Sequence, residues 1–323
     1  MMNKDAIFIA VDSGKSHTKV AWYERNNPKQ LMMTDIFRTV ATPITKSDFF
    51  NADMIVKYED CYYEVGHDEI RLTSDNSKLT MTHELCVYTG IATALLDLAV
   101  NLKETQFVKL AINVPLHDFK IDKRKYIDLY KNKVVKMTLN KKRVQFIIQT
   151  VDLFYEGSGA IIKNTTTAAG DYYVIDIGGR NSTHILFSNF RPVKNRNAMT
   201  NDGILPLLQS VASDLSAGGY DYDIVDVEVI IKETKPKPSG FDELFSKYAK
   251  SHVGRFRNQV QTFKLIPEHV TLIISGGGSV VLKPFLEVEF GNEFKMIFAE
   301  NGQFDNVTGG LMMFGKEKNH SSS

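Results

Sequence analysis

Residues 6–11 form an unbroken apolar, β-branched run that stops at Asp12. A short apolar segment ended by a charge reads as a strand buried on both faces. Asp12-Ser13-Gly14-Lys15-Ser16 follows as a turn, and residues 18–23 read as a second strand. An opening hairpin departs from doubly wound nucleotide folds, where a helix comes next. Residues 26–80 mix polar and apolar positions, with strand candidates at 54–58 and 61–65, and read as a small insert. Leu85, Tyr88, Ile91, Ala92, Leu95 and Leu98 recur at helical spacing and predict a helix over 82–102. A strand at 107–114 ends at Pro115, and residues 120–133 read as a charged surface helix. Strands are predicted at 134–139 and 144–151, and a short helix from 156 to 163, with Glu156 in its first turn.

Residues 164–170 are small and polar and read as a crossover between domains. Beyond them the opening pattern returns. Residues 172–177 form a strand, Gly178-Gly179-Arg180-Asn181-Ser182 a turn, and residues 183–187 a second strand. Asp176 stands 164 positions after Asp12, about half the chain. Such a repeat implies two similar α/β domains facing each other across a cleft. A helix is predicted over 202–215, an acidic then β-like segment over 221–231, and a breaker-rich loop at 235–240. A helix over 241–263 and a strand at 270–275 follow. That strand runs into Gly276-Gly277-Gly278, a helix at 280–287 comes next, and the polar tail 317–323 is expected to fray.

Composition narrows the class without naming it. The 323 residues suggest two domains, and a net charge of +1 argues against a protein that itself wraps nucleic acid. Cys61 and Cys86 make no disulfide framework and no metal-ligand spacing. The apolar run at 6–11 is too short for a signal peptide, and the stretch 91–100 is interrupted by Asp97. A soluble cytoplasmic protein with no membrane contact is expected.

The turns carry the chemistry. Successive N–H groups in a tight glycine turn make a concavity for anions, and Lys15, Ser16 and Lys19 add donors around Gly14. Asp12 and Asp176 end equivalent strands, so both are expected at one cleft, where two carboxylates can hold Mg²⁺ and position a water. Either turn alone also serves hairpin geometry. Gly276-Gly277-Gly278 suits a close approach to something flat or anionic, and equally a tight strand-to-helix turn. Lys247, Lys250, Arg255 and Arg257 share one predicted helix and read as a solvated face.

Residues 12–19 (DSGKSHTK), 176–179 (DIGG) and 275–279 (SGGGS) together resemble the phosphate-1, phosphate-2 and adenosine motifs of the actin, sugar-kinase and heat-shock-chaperone ATPase superfamily. Residues 113–116 (NVPL), 155–160 (YEGSGA) and 303–310 (QFDNVTGG) are similar to the bacterial actin-like plasmid-segregation proteins, the ParM/StbA family. The resemblance covers nearly the whole chain. It implies an α/β actin-like fold of two related domains with ribonuclease H-like cores flanking a nucleotide cleft. The first would span 1–163, with 307–320 returning to it, and the second 164–306. It further implies bound ATP or ADP (or GTP or GDP) with Mg²⁺. Glu156 would polarise the hydrolytic water, Asp176 would assist, and Asp12 and Asp176 would reach the metal through water. Lys19 would contact terminal phosphates. Gly14, Lys15, Ser16, His17, Gly178, Gly179 and Arg180 would line the phosphates, Asp202 and Gly203 the ribose, and Gly276, Gly277 and Gly278 the adenosine. Arg180 stands where the family usually has Thr, and Ser13 where close relatives often have a second Asp. The implied function is a filament-forming ATPase that segregates plasmids, assembling head to tail. It would reach DNA only through a ParR-like adaptor on a centromere-like site. The rival is a sugar or acid kinase of the same superfamily, although no zinc-type Cys/His cluster of small sugar kinases is present.

Overall fold

The computed structural model describes residues 6–24, 31–50, 52–67, 78–165 and 170–320, with side chains as far as Met313. Parts of the predicted insert (26–30, 51 and 68–77) and of the crossover (166–169) lie outside the described residues. The chain divides into two compact units, residues 1–159 with 306–323, and residues 160–305.

In the first unit the order is β1 (Ile7–Ser13), β2 (His17–Tyr23), β3 (Met32–Arg38), β4 (Ala41–Ile44), β5 (Ile55–Tyr58), β6 (Cys61–Val65) and α1 (Met81–Asp97). β7 (Gln106–Val114), α2 (Leu116–Ile121), α3 (Lys123–Tyr130), β8 (Val134–Leu139) and β9 (Lys142–Tyr155) follow. One nine-stranded sheet runs β3-β2-β1-β7-β9-β8-β5-β6-β4. Its centre is parallel: β1 pairs β7 and β7 pairs β9, which explains the near-continuous apolar runs of β1 and β7. Residues 32–65 are therefore not a separate insert. β3 extends the sheet beyond β2, and β5 joins it through β8. α1 packs over β1 and β2, its entry capped by the Thr80 hydroxyl, which accepts the His83 N–H at 3.4 Å. The core beneath it gathers Ile9, Val11, Val20, Tyr88, Ile91, Leu95, Leu110 and Ile112, all at most 3% exposed.

The second unit comprises most of α4 (Ser158–Asn164), then β10 (Asp171–Ile177), β11 (Ser182–Ser188), β12 (Arg191–Thr200), α5 (Ile204–Ala217) and α6 (Ile224–Ile231). It continues with α7 (Phe241–Thr262), β13 (Val270–Ser275), α8 (Gly278–Phe290) and β14 (Lys295–Phe298). Its sheet runs β12-β11-β10-β13-β14. Strand for strand this repeats β3-β2-β1-β7-β9, with an antiparallel hairpin on one side of the leading strand and parallel strands on the other. The recurrence of Asp-x-Gly turns is thus a recurrence of topology. α9 (Asp305–His320) ends the described chain, largely in the first unit.

Three local expectations change. Residues 224–231 are helical, not β-like. Asp223 accepts the Asp226 N–H at 2.9 Å while Asp226 accepts the Asp223 N–H at 3.0 Å, and this reciprocal cap starts α6. Ile224, Val227 and Ile230 then bury one helical face. The helix expected from 156 starts instead at Ser158. Gly157 takes φ +82° and Glu156 lies in the turn before it, outside any helical first turn. The backbone of α9 also runs through residues 317–320, which were expected to fray. Among the described residues no helix is long and apolar enough to cross a membrane.

Candidate active site

In the first unit three parallel strands present side chains at their C-terminal ends. Asp12 closes β1 and is 5% exposed. The β1–β7 register, which pairs Val11 with Ile112, carries on to set Asn113 beside it. Glu156 follows directly on β9. Opposite Asp12 on β2 stands Lys19, whose Nζ lies 3.6 Å from Asp12 Oδ2. The turn between the two strands is closed by the Gly14 N–H donating to the His17 carbonyl at 3.1 Å, and a Cβ at Gly14 would fall 2.9 Å from that oxygen. Ser16 Oγ and His17 Nδ1, 2.8 Å apart, brace the same turn.

A residue the motifs did not single out completes the cluster. Lys78 has a side chain 4% exposed, with Nζ 3.0 Å from Glu156 Oε1 and 3.4 Å from Asp12 Oδ1. Burial alone would push the Asp12 carboxyl up, but Lys19 and Lys78 outweigh it and hold the acid below its usual range. Burial likewise disfavours the Lys78 ammonium, and Glu156 and Asp12 more than compensate, so Lys78 stays charged. Two carboxylates and two ammonium groups thus share the site.

Asn113 is fully buried, and neither amide atom of its side chain has a partner among the described residues. An unmade pair of hydrogen bonds costs about 1–3 kcal/mol per group, so an orphaned amide beside a carboxylate marks a place for a polar ligand or water. Ser13 is turned away from this set. Its Oγ lies 2.8 Å from His83 Nδ1 on α1, as the alternation along β1 requires. That departure from the family pattern is therefore a packing feature of the α1 face.

The second unit gathers the remaining motif residues. Asp176 ends β10, 7% exposed, in register with Thr183 and Ser275. Thr183 thus holds the position that Lys19 holds in the first unit. The Gly178 N–H donates to the Asn181 carbonyl at 2.9 Å, closing the second turn. The carbonyls of Gly178, Gly179 and Arg180 accept from the N–H groups of Ile204, Leu205 and Gly203 at 2.8–3.0 Å, so the turn itself caps α5. Gly276 adopts φ +85°, and a Cβ there would fall 2.5 Å from Asp176 Oδ1. Its close approach is to the Asp176 strand end, whereas Gly277 is exposed. Of the two readings of the triplet, Gly276 and Gly278 serve chain packing, since a Cβ at Gly278 would strike Ile177. Only Gly277 presents open backbone.

Asp202 is tied to α7. Arg255 Nε donates to its carboxylate, and His252 Nε2–H to its carbonyl at 2.9 Å. Arg257 donates to Glu289 at 2.8 Å and to Glu293 at 2.7 Å. Lys247, Lys250 and Arg255 are exposed, as expected of a solvated basic face, and Arg257, held by its two glutamates, is the exception. Among the described residues no group of three or more acidic, His or Cys side chains could hold a metal by itself. The donor set suits an ion that keeps its waters and takes one or two carboxylates plus phosphate oxygens.

Residues 10–159 match the family described as actin like proteins N terminal domain. Solved structures align over almost the whole chain. An archaeal actin homolog, Ta0583, superposes with a TM-score of 0.78 at 17% identity, covering 96% of this chain and 99% of its own. The fold is actin-like. A ParM filament subunit from Clostridium botulinum gives a TM-score of 0.72 at 19% identity, covering 97% of this chain and 100% of its own. Bacillus thuringiensis ParM with ATP gives 0.71 at 12% identity, covering 98% and 100%. No curated protein matches the sequence. The resemblance drawn from the sequence motifs is thus borne out at the level of the actin-like fold.

Proposed function

We propose that this chain is an actin-like ATPase that polymerises head to tail and moves plasmid DNA apart through a DNA-bound adaptor. The observation that carries the reading is the Asp12–Lys78–Glu156 cluster at the ends of β1 and β9. That is the charge pattern a magnesium–polyphosphate calls for, in a fold whose solved relatives include a ParM filament and a ParM with ATP. Bound Mg²⁺ would supply charge neutralisation at the terminal phosphates.

The chain's own part follows from its residues. The Gly14 turn, with Lys15, Ser16 and His17, offers N–H groups and donors to the phosphates, and Lys19 adds a cation. Gly178, Gly179 and Arg180 form the second cradle, and Arg180 can donate two parallel bonds to a phosphate oxygen pair where relatives offer a hydroxyl. Asp12 and Asp176 would hold the metal through its waters, and Glu156 would orient the attacking water and accept its proton. Asp202 and Gly203 border the ribose, and Gly277 with its neighbours Gly276 and Gly278 borders the base. Hydrolysis removes the contacts made by the γ-phosphate and shifts the subunit away from the shape that fits the polymer. A heterologous contact that does not close gives an open filament. A net charge of +1 leaves DNA contact to the partner.

The test is sedimentation and light scattering of purified protein with ATP, ADP or no nucleotide, run beside phosphate release. Polymer with ATP·Mg²⁺ and its loss after hydrolysis are expected. Glu156→Ala should slow phosphate release at least about tenfold and prolong the polymer, as expected for loss of a general base. No polymer at any concentration would refute the filament reading and favour the kinase.

A further inference from the structure

Lys78 is an unusual place to spend a positive charge. Its side chain is as buried as the core, and a buried ammonium is tolerated only while it is paired. It has two partners, Glu156 and Asp12, and each of these is the residue to which the proposed chemistry assigns another duty. Both Asp12 oxygens face a lysine, Oδ1 toward Lys78 and Oδ2 toward Lys19. Lys78 and Lys19 therefore compete with a metal ion or its water shell for Asp12, and Lys78 competes with a water for Glu156. Lys78 stands two residues before the Thr80 cap of α1, the helix packed on β1.

Resting on the nucleotide reading above, we propose that Lys78 is a partner-exchanging positioning residue. Without nucleotide it neutralises Glu156 and Asp12. When a nucleoside triphosphate enters, its ammonium passes to oxygens of the terminal phosphate, which frees Glu156 for the attacking water and Asp12 for the metal shell. A diphosphate lacks that terminal group, so Lys78 stays on the carboxylates. The same lysine then makes the site sense the third phosphate and keeps Glu156 idle in its absence. No bond is made or broken in this exchange; only hydrogen-bond partners change.

The experiment compares wild type, Lys78→Met and Lys78→Arg by titration with fluorescent ATP and ADP analogues in EDTA, and by Mn²⁺ binding without nucleotide. Losing one charge-assisted contact is expected to weaken the triphosphate by about 10- to 100-fold in K78M. The diphosphate should change by less than about threefold on the same grounds. Mn²⁺ alone should bind K78M more tightly, because Asp12 has lost a competing cation, and K78R should stay close to wild type. A lysine that merely supports the fold would weaken both nucleotides alike, or neither, and either result overturns the proposal. If K78M does not fold, the Lys78 ¹⁵Nζ signal in wild type decides: a shift with a non-hydrolysable triphosphate but not with the diphosphate supports the exchange, and equal shifts overturn it. Failure of wild type to bind any nucleotide overturns the function reading as well, whereas wild-type binding with a K78M substitution that weakens triphosphate and diphosphate alike, or neither, overturns the exchange alone.

Discussion

His184 makes the second unit acid-sensitive. It is fully buried on β11, with Nε2 3.0 Å from Ser182 Oγ and Nδ1 3.3 Å from the Tyr173 hydroxyl, and its ring lies against Phe256. Burial drives its pKa from 6.5 down to about 4, against a smaller opposing pull from Asp202. The folded pKa lies below the unfolded one, so the unfolded chain binds the extra proton between them. Stability is therefore complete above pH 6.5 and falls as pH drops toward 4. Integrating the proton uptake from pH 7.5 to pH 5 gives a loss of about 2 kcal/mol from this group. Ser182 also lies 2.8 Å from Thr200 on β12 and closes the Gly178 turn in register with Ile177, so protonation strains the strand that carries the second cradle. Urea unfolding at pH 7.5 and pH 5 measures the loss, with His184→Gln as the control that removes the titration. His252 shifts in the same direction, through burial and Arg255, and adds a slope common to both proteins. If wild type and H184Q lose the same stability between the two pH values, the imidazole is not the group that charges.

Asn113→Val removes the orphaned amide and should raise the ligand-free unfolding free energy by about 1 kcal/mol while weakening nucleotide binding. A destabilised N113V with intact binding would show that the amide serves the fold instead. Gly276→Ala forces a side chain onto φ +85° and against Asp176, and should cost about 2–4 kcal/mol in urea unfolding. A change below about 0.5 kcal/mol would mean the turn relaxes freely, and the geometry argued for Asp176 would fall.

What could be read from the sequence divides by the range of the interaction that encodes it. The runs at 6–11, 107–114, 172–177 and 270–275 were legible because a central strand with at least one parallel neighbour is buried and apolar on both faces, and that is a local property of the chain. The glycine turns were legible for the same reason: a tight turn is built by four or five consecutive residues. β3 and β4 were not, since MMTDIFR and ATPI are mostly half-exposed and their place depends on partners elsewhere in the sheet. α6 misled because Ile and Val favour strands, while the acid-x-x-acid cap that overrides them is a two-point signal at 223 and 226. Lys78 carries no local signature at all. Its partners lie 66 residues before it and 78 after it, and only the sheet order β1-β7-β9 brings them to one edge. Asn113 left a trace, a polar residue inside an apolar run and the first of the 113–116 motif, but the orphaning of its amide is a tertiary fact that neither pattern carries. The backbone cradle of this site and the Lys19 cation are thus local and visible in the motifs, whereas Lys78, which balances both carboxylates, is tertiary. A substitution in the turns acts on shape, and one at Lys78 acts on charge balance, so the two classes separate in the diphosphate-against-triphosphate affinities even where both abolish turnover.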